Sequence, residues 1–149
     1  MNTPRNPNFE QVVRESFARQ ALMSTIGARL TVVGPGEVEI RLPYRSDLTQ
    51  QHGYLHAGVI ASVLDSAGGY AAFSLMPEGA GVLSVEFKTN LMAPARGEEL
   101  IGRGRVVRSG RTLSVCQADG YMLENGDEKL VATMIGTMMT IRDRPDVTG

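Results

Sequence analysis

The chain has 149 residues, 42% hydrophobic and 21% charged, the balance of an ordinary globular protein with enough length for one core. Lys+Arg 15 against Asp+Glu 16 leave a formal net charge of -1, which gives no electrostatic footprint for nucleic acid or an anionic membrane surface. The single cysteine, Cys116, excludes an intrachain disulfide framework. No apolar run approaches the ~20 residues of a membrane span, and no signal-peptide core is visible, so a cytoplasmic protein is the default expectation.

Residues Met1–Asn8 carry two prolines and three asparagines and read as a loose tail. From Phe9 the spacing Phe9, Val12, Val13, Phe17, Ala21 is helical and predicts one amphipathic helix to about Met23. Residues 1–23 are therefore set apart from a domain expected over 24–142, with a short tail at 143–149. Ala28–Val33 and Glu37–Leu42, joined by Gly34-Pro35-Gly36, read as a β-hairpin that Pro43 ends. A loop over Tyr44–Leu55 leads to a helix from about His56 to Leu75. That helix is nearly uncharged and apolar on more than one stripe, as expected where the rest of a fold encloses it. Strand candidates follow at Val82–Asn90, Glu99–Val107, Thr112–Leu123 and Lys129–Ile141. Asn125-Gly126 is the strongest hairpin signal among their turns. The order predicts an α+β fold in which a curved antiparallel sheet wraps around one central helix.

The chemistry concentrates at Gln51-His52-Gly53-Tyr54-Leu55-His56-Ala57-Gly58 and the apolar helix that follows, which carries one carboxylate, Asp65. The first amides of a helix lack internal partners and sit at the positive end of its dipole, so a start near His56–Gly58 is suited to a developing oxyanion. Small residues at 57 and 58 equally permit tight packing of the helix start. Asp65 is seven residues beyond Gly58, ~10 Å along a regular helix. A catalytic hydrogen bond spans ~3 Å, so one chain cannot bring both groups to one carbonyl. If they act together, Asp65 comes from a second subunit related by a two-fold axis. The competing reading is a carboxylate bonded to a neighbouring strand for structural reasons.

Other candidates are weaker. His52 and His56 stand four apart, but Gly53 and the loop argue against a shared helical face, and no third ligand is apparent, so no metal is expected. No Gly-x-Ser-x-Gly elbow occurs, and Ser62 and Ser66 read as packing or capping groups. Arg103, Arg105, Arg108 and Arg111 surround the Ser109-Gly110 turn, either as a solvated hairpin end or as a phosphate clamp. Cys116 lies in an alternating strand and reads as a buried thiol. Tyr54, Leu55, Tyr70 and Phe73 could line an acyl or aryl pocket or simply belong to the core.

Over residues 24–142 the chain resembles the hotdog-fold acyl-CoA thioesterases of the phenylacetyl-CoA (PaaI-type) group. The resemblance rests on Gly53-Tyr54-Leu55-His56-Ala57-Gly58, the nine-residue step from His56 to Asp65, Ser84-Val85-Glu86-Phe87, Asn90-Leu91-Met92-Ala93-Pro94-Ala95 and Arg108-Ser109-Gly110-Arg111. It implies a homodimer with a continuous sheet, often paired again into a tetramer, with sites across the dimer interface. The Gly58 amide would polarise the thioester carbonyl, and His56 would orient the turn. Asp65 of the second subunit would act as nucleophile or as base for water, and Ser84 would help hold that water. Arg108, Ser109, Gly110 and Arg111 would bind the coenzyme A moiety, which is part of the substrate; no separate cofactor is implied.

Two departures stand out: Ala57 replaces the middle glycine of the family's His-Gly-Gly, and Gln50 stands where an asparagine is frequent. The expected activity is hydrolysis of a small or medium acyl- or aryl-CoA to free acid and CoA. The alternatives are a hotdog enoyl-CoA hydratase or dehydratase and a non-catalytic acyl-CoA binding module.

Overall fold

A computed structural model describes residues 2–149. Met1 lies outside the described residues, and of the predicted loose tail Asn6 is in fact buried, its Oδ1 accepting from the Asn8 amide at 2.9 Å. The predicted first helix is two: α1 (Phe9–Arg19) and α2 (Ala21–Ile26), separated by extended backbone at Gln20. The break lets both segments deliver an anchor to the core, Val13 from α1 and Met23 from α2, each at most 1% exposed. Gly27, in the left-handed region at φ 80°, closes α2.

The predicted hairpin is β1 (Arg29–Gly34) and β2 (Glu37–Pro43). The predicted enclosed helix is α3 (Ala57–Phe73), followed by β3 (Gly81–Leu91), β4 (Glu99–Ser109), β5 (Leu113–Glu124) and β6 (Asp127–Ile141). Asn125 (φ 51°) and Gly126 (φ 85°) form the tight β5–β6 turn with both central residues left-handed. The six strands make one antiparallel sheet in the order β1-β2-β4-β5-β6-β3, so the strand after the central helix crosses to the far edge and pairs with β6. This is the hotdog fold.

α3 lies on one face of the sheet against β2 through β6. Its small residues Ala67, Gly68, Ala71 and Ala72 allow close approach. At Gly104 on β4 a Cβ would come 2.3 Å from the Ala67 carbonyl group, so only glycine lets strand and helix meet there. Ile40, Leu42, Leu64, Leu100, Met122 and Val131 fill the layer between, all at most 2% exposed. Among the described residues no helix is long and apolar enough to cross a membrane.

The opposite face of the sheet is polar where β2 and β4 meet. Glu39 accepts from Arg41 Nε at 2.8 Å, Arg103 Nε at 2.9 Å and Thr31 Oγ1 at 2.8 Å. Arg103 also grips Glu128 with two bonds and stacks 5.2 Å over the Tyr121 ring. Burial pushes the Glu39 carboxyl upward, but the bonds from Arg41, Arg103 and Thr31 outweigh it and hold the group below the usual glutamate range.

Candidate active site

Backbone bonds fix the approach to α3 before any side chain is considered. Leu55 donates to the Ala95 carbonyl at 2.8 Å and His56 to the Leu48 carbonyl at 3.0 Å. Gly53 turns the loop at φ 81°, and its carbonyl accepts from Tyr44 Oη at 2.7 Å. The Gln50 side-chain oxygen is taken up within the same turn by the His52 amide. Gln50 thus braces the loop with its carbonyl end.

His56 is the N-cap of α3. Its Nδ1 accepts the Gly58 N–H at 2.8 Å, and its carbonyl accepts from Val59 and Ile60 at 2.9 and 3.2 Å. A Cβ at Gly58 would sit 3.1 Å from that Nδ1, so glycine here lets the imidazole close on the backbone. The Gly58 amide, expected from the resemblance to face a thioester, is therefore engaged by His56 in this chain. The Ala57 amide makes no hydrogen bond among the described residues. The helix start, with Ala57 and Gly58 both exposed, still presents positive dipole and donors to solvent. His52 is exposed, and among the described residues no three His, Cys, Asp or Glu side chains are grouped to hold a metal ion.

Asp65 is on the same helix seven residues later, half-buried where α3 passes β3. Ser84 Oγ donates to its Oδ1 at 2.7 Å. A bulge between Ser84 and Glu86 interrupts pairing with β6 at this point. The carboxylate and the helix start thus lie on one rigid element, ~10 Å apart along its axis.

Each group borders its own cavity. One of about 400 Å³ lies beside the helix start, lined by Gln50, Tyr54, Ala57, Leu91, Met92 and Pro94. One of about 160 Å³ lies beside Asp65 and Ser84, lined also by Ser16, Gln20, Gly69 and Tyr70. Ser16 belongs to α1 and Gln20 to the extended break that follows it, both outside the expected domain, and nothing in their local sequence marked them. A third cavity of about 370 Å³, beside Glu39 and Arg103 on the other face, is far from this chemistry, and its main charges pair with one another.

The arginine cluster divides. Arg103 is held by Glu39 and Glu128, and Arg105 bonds Gln117. Arg108 and Arg111 stay exposed on the β4–β5 turn, which Gly110 closes by donating to Leu113 at 2.8 Å. Ser109 accepts from Ser114 at 3.4 Å. Ser114 and Ser84 both pair with Met138, so this turn stands at the end of the sheet that carries Asp65. Cys116 faces α3 at 2% exposure, and burial pushes its thiol up to about 12.

The sequence model of the thioesterase superfamily matches residues 52–129, which include the helix start, Asp65 and the arginine turn. A solved thioesterase family protein from Silicibacter pomeroyi is 54% identical, covers 90% of this chain and 98% of its own, and superposes with a TM-score of 0.89. Human acyl-coenzyme A thioesterase 13 is 28% identical over 133 residues, 87% of this chain and 92% of that protein. The PaaI protein from the phenylacetic acid degradation operon of E. coli shares the fold at a TM-score of 0.81 and 17% identity, covering 92% of this chain and 96% of its own.

Proposed function

The chain belongs to the thioesterase superfamily, and from that premise we propose that it hydrolyses a small or medium acyl-CoA to free acid and CoA at a site shared by two copies of the chain. The observation that carries this reading is the placement of Asp65 and the open helix start on one helix, too far apart to meet within a chain. A two-fold axis at the free edge of β3 and perpendicular to it runs the two copies of β3 and the two α3 helices antiparallel, which brings the helix start of each copy toward the Asp65 of the other. The exposed apolar side chains of β3, Leu83, Val85, Phe87 and Leu91, support such a contact.

In this arrangement the thioester carbonyl oxygen points at the helix start. The Ala57 amide is open there as it stands, and the Gly58 amide joins it when His56 releases it. Asp65 takes a proton from water as the water oxygen bonds to the carbonyl carbon. Ser84, already bonded to the carboxylate, holds both in line, and the amide end of Gln50 is free to contact the water. The tetrahedral intermediate then breaks its C–S bond, and the departing thiolate receives the proton from Asp65. Direct attack by Asp65 through an acyl-aspartyl anhydride uses the same geometry; single-turnover hydrolysis in H₂¹⁸O labels the Asp65 carboxylate only on that route. In this reading the exposed Arg108 and Arg111 meet the phosphates of CoA, with Ser109 and Gly110 shaping the turn.

Release of free CoA thiol across aryl, short, medium and long acyl-CoAs tests the reading. Hydrolysis by the wild type that is lost in Asp65→Asn upholds it, and undiminished turnover in Asp65→Asn overturns it.

A further inference from the structure

We infer that α1, which precedes the sheet and its central helix, sets an upper limit on acyl length by closing the cavity beside Asp65 with an end wall made of Ser16 and Tyr70; the inference rests on the thioesterase reading above. A thioester held at Asp65 has two directions to extend. The CoA portion must reach solvent and the arginine turn, so the acyl group is the part that enters the enclosed space. That space runs along α3 from Asp65 past Gly69 to Tyr70 and is lined also by Val82 and the C-terminal residues Val147 to Gly149.

The end wall is built rather than incidental. Tyr70 Oη lies 3.4 Å from Ser16 Oγ, bringing α1 and α3 together at the far end of the cavity. The Tyr70 ring is held edge-on by Phe17 at 5.8 Å and Phe73 at 6.3 Å between centroids and is 7% exposed, so it has no room to swing aside. Ser66 Oγ donates to Gln20 Oε1 at 3.3 Å, a second tie that holds the residue ending α1 against α3. Tyr70 also shows burial raising its phenol above the usual range, in keeping with a neutral, enclosed ring.

Two quantities bound what the space holds, its length along α3 and its volume. Five residues of helix from Asp65 to Tyr70 span ~7.5 Å. A volume of about 160 Å³ holds about five units of the ~30 Å³ that a water molecule occupies in the liquid. The wall therefore admits about five non-hydrogen atoms beyond the carbonyl. Longer chains meet the Tyr70 ring.

The test measures kcat/KM for a straight-chain series from acetyl- to dodecanoyl-CoA, with binding of the matching analogues in which CH₂ replaces the thioester sulfur. In the wild type both fall steeply beyond about six carbons. Tyr70→Ala moves the fall to longer chains and raises the decanoyl-to-butanoyl ratio by about tenfold or more, since each methylene seated is worth about fourfold. Ser16→Leu, which opens no cavity and keeps a good helix former, shortens the longest chain accepted. Tyr70→Phe keeps the wild-type profile, because the ring and not the hydroxyl is the obstacle. A wild type that handles decanoyl as well as butanoyl, or variants that leave the ratio unchanged, overturns the inference. Length-dependent binding that shifts in the variants without any hydrolysis would uphold the wall and overturn the thioesterase reading instead.

Discussion

The two edges of the sheet are finished in different ways. β1 is six residues long, irregular between Leu30 and Val32, and covered in part by α1. β2 and β4 beside it carry Glu39, Arg41, Glu99 and Arg103, in a network that reaches across the face to Glu128 on β6, and Val32 is the one large aliphatic side chain that β1 leaves half exposed. β3 is 11 residues long, and Leu83, Val85, Phe87 and Leu91 are 45–53% exposed along it. A long apolar edge in water is a standing invitation to another strand, whereas a short, bent and charged one is closed to it. Asp65 and Ser84 meet at the open edge. The first edge is completed by its own chain, and the second, beside Asp65, is the one on which the proposed function seats another copy.

Substitutions at the two edges should therefore separate activity from stability. The largest effect is expected for Asp65→Asn, which should lower kcat by about 10²–10⁴-fold, the range for a lost general base, with an unaltered unfolding transition. Next comes Phe87→Lys on β3. It should convert dimer to monomer by light scattering and remove turnover in the same step, since each site would lose its second half; a fully active monomer would sink the shared-site reading.

On the other side, Glu39→Gln should cost about 1–3 kcal/mol in denaturant unfolding, because it weakens charge-assisted bonds to two arginines. Turnover should stay at the wild-type level. The native Glu39 carboxyl titrates below its unfolded value of about 4.3, so its contribution is present above that pH and is lost as pH falls through the native value. The stability gap between wild type and Glu39→Gln should accordingly narrow in acid; a gap that widens would mean the burial cost dominates. The smallest effect concerns Cys116. With its thiol buried and pushed up to about 12, it should stay unmodified by a disulfide reagent at pH 8 until the protein is unfolded. A thiol-release assay then reads CoA alone.

Most elements were legible because local periodicity carries them. Alternation placed β5 and β6, and Asn125-Gly126 placed the turn between them within a residue. The enclosed helix announced itself by lacking charge. The break at Gln20 was not legible, since neither glycine nor proline marks it and its reason is the docking of Val13 and Met23 into one core. At the site, the resemblance singled out Asp65 and Ser84 separately, the serine as a holder of water, whereas their direct bond and the contribution of Ser16 and Gln20 were not legible. They reach the cavity across more than 40 residues of chain, and a serine and a glutamine on an amphipathic helix look like any solvent-facing pair.

By itself the sequence determined the antiparallel α+β character, the glycine-marked turns, the helix start near His56 and the lone carboxylate one helical stretch beyond. These depend on backbone preference and spacing within a few turns of chain. Only the tertiary structure decided that β3 crosses to the far edge beside β6 and that Ser16 of α1 lines the cavity at Asp65. Those outcomes depend on which distant surfaces bury one another, and non-local burial leaves no periodic trace in the residues that take part.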